Sequence, residues 1–320
     1  MSMNLTVIDS GPAMLNILDA PAAERPELLR ELWQPMAGMY RYFPGQTDLV
    51  QAHLQSFGFP IDRDSDDDSA RNRTAVRLLT DADAWQRIRA GLERGIDALH
   101  AADPEAAIPD LTVLLVVGDP GNDHFTREVQ GLSAFGGISG YIAITVWPNE
   151  TVLGRLEAIA AHELHHNVRY SPGGVVWNPA TVTVGEQVIS EGLADEFAAE
   201  LYGDTGYTHF VAPETRVDDA VLQTVARGLD VTGMQNFTAW VHGDASARLF
   251  GAEPVGLPTG AGYAAGARLV RAYLDQQGYL DQQSNLDQQG AVSGTAAAQV
   301  RTPAQDIIDV ARQRLRLPAG

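Results

Sequence analysis

The sequence predicts an α+β protein, mostly helical with a small β-sheet and a helix that carries the chemistry. Three observations point there. Apolar residues recur at three- and four-residue spacing over long segments, as one buried helical face requires. Two short β-branched runs, "LTVLLVVGD" from Leu111 and "GYIAITVWP" from Gly140, end in turn residues, as strands do. Beyond Gly203 the chain reads as mostly helical.

From Pro26 to Phe43, Leu29, Leu32, Trp33, Met36, Met39 and Tyr40 line one helical face. "DRDSDDDSA" from Asp62 has the opening acids of a calcium loop, but Asp67 stands where that loop needs glycine and Arg73 where it needs glutamate, so a solvated acidic loop is expected. A second amphipathic helix fits Ala84 to His100. "GLSAFGGISG" between the two strands is too rich in glycine for a regular strand; a bulge, a close backbone approach to a ligand and a surface loop all fit it. Asn149 then caps a helix expected from Glu150 to Arg169, with Val152, Leu156, Ile159 and Ala160 on its apolar side. "VVWNPATVTVG" connects it to a helix from Glu186 to Tyr202, stopped by Gly203. The near repeats "YLDQQG", "YLDQQS" and "NLDQQG" span 273–290, with the later copies read as an inserted loop, and a last helix runs from Ala304 to Leu315. The organisation expected is an N-terminal helical region (1–105), a core carrying the two motif helices (106–210) and a C-terminal helical region with the glutamine-rich insertion (211–320).

Composition narrows the function. The 22 Lys and Arg against 41 Asp and Glu leave a formal charge of -19, which repels nucleic-acid phosphates and anionic lipid, so neither nucleic acid nor a membrane is an expected partner. There is no cysteine, which excludes thiolate zinc sites and cysteine nucleophiles and leaves His, Asp and Glu as metal ligands. The first residues lack a cationic start followed by an apolar run, and no apolar stretch reaches the roughly 20 residues of a bilayer span; a cytoplasmic location is the expectation.

The chemistry concentrates in "AHELHHNVRY". His162 and His166 are four residues apart, so on a helix both can reach one ion, and Glu163 flanks the same face, where its carboxylate can act on a metal-bound water. His165 is the less constrained histidine. A string of this kind also arises by chance, and "SEGLADEF" adds the decisive weight: Glu191 and Asp195 repeat the four-residue spacing on the next helix. One carboxylate supplies a third ligand, and the other can accept an imidazole N–H, that of His162 first, and fix its tautomer. A three-ligand site with one open position is that of a catalytic zinc.

At these residues the chain resembles the gluzincin metallopeptidases, with H-E-x-x-H followed by E-x-x-x-D. With "GAGYAAGARLVRAYL" added, it resembles more closely the bacterial YjaZ-like family of predicted zinc-dependent proteases, long catalogued as a domain of unknown function. The likeness is strongest from Leu111 to Leu274. It implies a zincin-like core, His162, His166 and Glu191 as Zn2+ ligands, Glu163 as catalytic base and Asp195 as partner of a ligating histidine. The implied activity is hydrolysis of a peptide or protein substrate. Similar enzymes use a tyrosine or histidine to stabilise the oxyanion; "GYAAG" makes Tyr263 the first choice, with Tyr202, Tyr207, His209 and His242 as competitors and tight core packing as the other reading of Tyr263. In gluzincins an edge strand pairs with the substrate backbone, a part for which "GYIAITVW" is placed. The alternatives are a zinc-holding regulatory or partner-binding protein, and a metal-dependent hydrolase of a non-peptide amide or ester.

Overall fold

The computed structural model describes residues 3–42, 45–62, 66–284 and 294–318. It is α+β and predominantly helical. The chain divides into two compact units, one of residues 1–93 with 108–167, the other of 94–107 with 168–320.

In the first unit, strand β1 (Leu5–Val7) and helices α1 (Gly11–Asp19), α2 (Arg25–Trp33), α3 (Leu49–Gln55), α4 (Asp66–Asp81) and α5 (Ala84–Ala102, whose end belongs to the second unit) precede the remaining strands. These are β2 (Leu111–Val117), β3 (Leu132–Ile138) and β4 (Tyr141–Val146), followed by α6 (Glu150–Leu153) and α7 (Leu156–Arg169). The four strands order as β1-β2-β4-β3; β2 runs parallel to β1 and β4, and β3 antiparallel to β4. Leu114, Leu115 and Val117 of β2 are fully buried, which explains its unbroken apolar run in place of strict alternation. The strand β1 escapes sequence reading because three residues give no usable period.

Two expected helices are shorter than their patterns. The pattern 26–43 is helical only to Trp33 and continues as a 3-10 turn over Gln34–Tyr40. Pro35 has no N–H to donate to Glu31, so the α-ladder cannot pass it. The expected helix 150–169 is broken at Gly154 and Arg155, where Arg155 N–H turns back to the Val152 carbonyl before α7 starts. Asn149 caps α6 as expected, accepting from Val152 N–H at 2.8 Å.

Beneath α2 lies His53, fully buried. Its Nδ1 accepts from Trp33 Nε1 at 3.1 Å and its Nε2 stands 2.9 Å from the Phe59 carbonyl, which fixes the proton on Nε2. Burial pushes its pKa down to about 4, against the backbone bond that favours charge. The unfolded chain takes up this proton near pH 6.5 and the folded one only near pH 4, so the stabilising contribution is complete above about 6.5 and is lost as pH falls through that window. Its full size is about 3 kcal/mol. His53→Gln, which cannot titrate, should differ from the parent by less and less as pH is lowered from 7 to 4.5, measured by denaturant unfolding; a constant difference would overturn this assignment.

The second unit contains α8 (Val184–Tyr202), α9 (Pro213–Val217), α10 (Asp219–Gly228), α11 (Asp244–Leu249), α12 (Ala261–Ser284) and α13 (Ala304–Leu315). The expected loop within 273–290 is corrected here, because α12 continues through the first two repeat copies to Ser284; the third copy lies outside the described residues. Gly192 and Gly266 bring α8 and α12 together: a Cβ on Gly192 would stand 2.2 Å from the Gly266 carbonyl carbon, and one on Gly266 2.2 Å from the Val188 oxygen. The small residues of "GYAAG" are therefore a packing requirement, since only glycine lets two helix backbones approach this closely.

Candidate metal centre

Helix α7 is seated in the first unit by four contacts. Arg87 of α5 grips the Glu157 carboxylate with two bonds of 2.6 Å. Gly91 of α5 passes so close that a Cβ there would lie 2.5 Å from the Glu157 carbonyl oxygen. Gly136 of β3 does the same one turn and a half later, where a Cβ would lie 2.2 Å from the Glu163 oxygen. This decides between the readings of "GLSAFGGISG": the strand is irregular between Phe135 and Ile138, and Gly136 admits the backbone of α7. Asn167, fully buried, completes the join by donating to the carbonyls of Gly136, Ile138 and Tyr141 at 2.8–3.0 Å and accepting from Gly140 N–H at 2.8 Å.

On this helix His162, Glu163 and His166 share one side. The Nε2 atoms of His162 and His166 are 3.1 Å apart. Two nitrogens bound to one tetrahedral zinc at about 2.05 Å would stand about 3.3 Å apart. The rings are thus aimed at a common point.

Helix α8 starts where Thr183 caps it, its side chain accepting from Glu186 N–H at 3.0 Å, and ends at Gly203, whose φ of 62° suits glycine. Its first turn is tied down by the buried guanidinium of Arg169, bidentate to Glu186 at 2.8 and 2.9 Å and donating to the carbonyls of Val300 and Thr302. Tyr170 adds a third bond to Glu186. Burial works against the Arg169 charge, but the Glu186 carboxylate outweighs it and the guanidinium pKa stands above its ordinary value.

His162, His166 and Glu191 each offer one ligand atom, and these atoms all lie within 4.8 Å of one another. Among the described residues this is the group that could hold a metal ion. The donor set, two imidazole nitrogens and one carboxylate oxygen, fits zinc and leaves one tetrahedral position open. Exposure separates the chain's acids and histidines here: His162, Glu163, His166 and Glu191 keep 6–8 % while Asp195 and His165 keep none. His165, read from sequence as the less constrained histidine, is a core residue.

Comparison with known proteins agrees with this geometry. Residues 85–288 match the family model described as "Predicted Zn-dependent protease (DUF2268)". The chain belongs to this family. It is also similar to the uncharacterized protein YjfC of Bacillus subtilis (strain 168), 30% identical over 213 residues, 65% of this chain and 69% of that protein. No solved structure matches. The matched residues of this predicted Zn-dependent protease family include both motif helices and the whole of α12.

Within this family member, Asp195 lies one turn beyond Glu191, and its Oδ1 accepts from the hydroxyl of Thr208 at 2.7 Å and from the Thr208 N–H at 3.2 Å. Thr208 was not among the residues singled out from sequence, because a lone threonine after a loop carries no periodic signal. Tyr263 lies on α12, buried, with its ring 5.4 Å from Phe210 and 5.7 Å from His242. His209 also borders Phe210. Tyr202 lies under Arg94, with the guanidinium 4.7 Å from the ring centre, and Tyr207 donates to Glu196 at 3.0 Å.

One expectation is corrected. The strand "GYIAITVW", β4, is hydrogen-bonded on both sides, by β2 and by β3, and has no free edge. The antiparallel edge beside α7 is β3, which no further strand covers among the described residues. Among these residues no helix is long and apolar enough to cross a membrane.

Proposed function

We propose that this protein is a zinc metallopeptidase of the gluzincin type, with His162, His166 and Glu191 as ligands and Glu163 as general base. The observation that carries the reading is the convergence of these three ligand atoms, with Glu163 next to the first of them on the same helix. A purely structural site needs no such carboxylate. Zinc, when bound, supplies Lewis acidity and makes a water acidic enough to lose a proton near neutral pH. Glu163 takes that proton and returns it to the leaving amine nitrogen. Asp195 accepts the N–H of a ligating imidazole and so orients the ring. The substrate is an extended peptide or protein segment that adds to the open edge of β3, where backbone hydrogen bonds bind without strong side-chain selection. Tyr263 is the first candidate for the donor to the developing oxyanion, with His209 and His242 next to the same Phe210 ring.

Turnover of an unfolded protein and of a peptide library tests this reading against a zinc-holding regulator and against a hydrolase of other amides or esters. Cleavage should stop when a strong chelator removes the metal and return when about one equivalent of zinc is added. Chelator-insensitive cleavage, or zinc binding with no cleavage of any peptide, would overturn it.

A further inference from the structure

We propose that Thr208 is a positioning residue of the metal centre, acting through Asp195. This rests on the reading above, in which Asp195 orients a ligating imidazole. Two donors of one residue, the hydroxyl at 2.7 Å and the backbone N–H at 3.2 Å, converge on the same oxygen, Oδ1 of Asp195. Pinning one oxygen from two directions fixes the plane of the carboxylate, and with it the direction in which Oδ2 points. Asp195 is fully buried, so water does not take over this work.

Thr208 is itself held. Arg216 donates to its carbonyl at 2.5 Å. The preceding residue, Tyr207, donates to Glu196 at 3.0 Å, and Arg271 bridges to the same carboxylate at 2.8 Å and contacts the Tyr207 hydroxyl. The Tyr207 ring lies under both guanidinium groups, 5.2 Å from Arg216 and 5.8 Å from Arg271. Successive acids of α8, Asp195 and Glu196, thus seat successive loop residues, Thr208 and Tyr207. One of those acids, Asp195, stands a single helical turn beyond Glu191 on the same helix, and it is through this side chain that the loop is proposed to act on the ligands. An Asp195 free to rotate would present its second oxygen to a ligand over a range of angles, and outer partners of this kind govern metal affinity and activity by 10- to 100-fold.

Thr208→Val keeps the β-branched volume and the backbone N–H and removes only the hydroxyl; Thr208→Ser keeps the hydroxyl. Zinc release to a competing chelator should be roughly tenfold faster in Thr208→Val and close to the parent rate in Thr208→Ser. The visible absorption of the cobalt-substituted protein should shift in the valine variant alone. Asp195→Asn serves as the comparison and should release zinc faster still. If Thr208→Val released zinc at the parent rate while Asp195→Asn released it faster, Thr208 would have no part and the reading of Asp195 would survive. Equal rates in all the variants would overturn both. Failure of serine to restore the rate would mark the effect as loop packing and overturn the proposal. A parent protein that held no zinc would overturn the metal centre itself, and this inference with it.

Discussion

Glu163→Gln is expected to keep the fold and the zinc while losing hydrolysis by roughly 100- to 10,000-fold, the usual contribution of a general base. The substitution is isosteric, and an amide in a site of 6 % exposure is no harder to bury than the carboxylate it replaces. The tight passage of Gly136 is against the Glu163 backbone oxygen, which the change leaves in place. Loss of activity therefore reports the proton acceptor and not a rearranged helix. Metal content by elemental analysis and the rate of peptide cleavage are read on the same sample. A glutamine variant that cleaves at the parent rate would exclude Glu163 as the base, whatever the metal does.

What the sequence made legible follows from where the physics is local. Four-residue spacing on a helix is fixed by backbone geometry, so His162 with His166 and Glu191 with Asp195 could each be placed on one side of a helix before any fold was known. Caps are equally local, as Asn149 illustrates. Illegible were the features that depend on residues far apart in the chain. The edge position of β3 follows from a sheet order in which β4 is inserted between β2 and β3, and no run of residues encodes that order. The glycines of "GLSAFGGISG" gave a signal of close approach, but at Gly136 the approaching group is the chain's own helix, through Glu163 and Asn167. Gly192 and Gly266, 74 positions apart, are meaningful only as a pair. The hydroxyl of Thr208 is 13 residues from the carboxylate it holds. The sequence reading ran through both helix breaks, although Pro35 forbids the α-ladder by its chemistry, whereas Gly154 only lowers helix propensity by about 1 kcal/mol and need not have ended the helix.

His166→Ala should lose the metal, and the neighbouring histidine supplies the control that makes the result specific. His166 offers one of the converging ligand atoms, and removing one of three protein ligands leaves two donors for an ion that needs four. The variant should therefore carry almost no zinc after passage over a chelating resin, where the parent retains about one equivalent. A ligand that binds only the folded state raises its stability by mass action, so added zinc should raise the Tm of the parent and leave that of His166→Ala unmoved. His165→Ala deletes an equally bulky ring next to it, fully buried and outside the ligand group. Its expected signature is the reverse: a lower Tm in the metal-free state, from the cavity left in the core, with zinc retained and the zinc-dependent rise in Tm preserved. If His166→Ala kept a full equivalent of zinc, or if His165→Ala lost it instead, the assignment of the ligands to the His162, His166 and Glu191 group would be wrong.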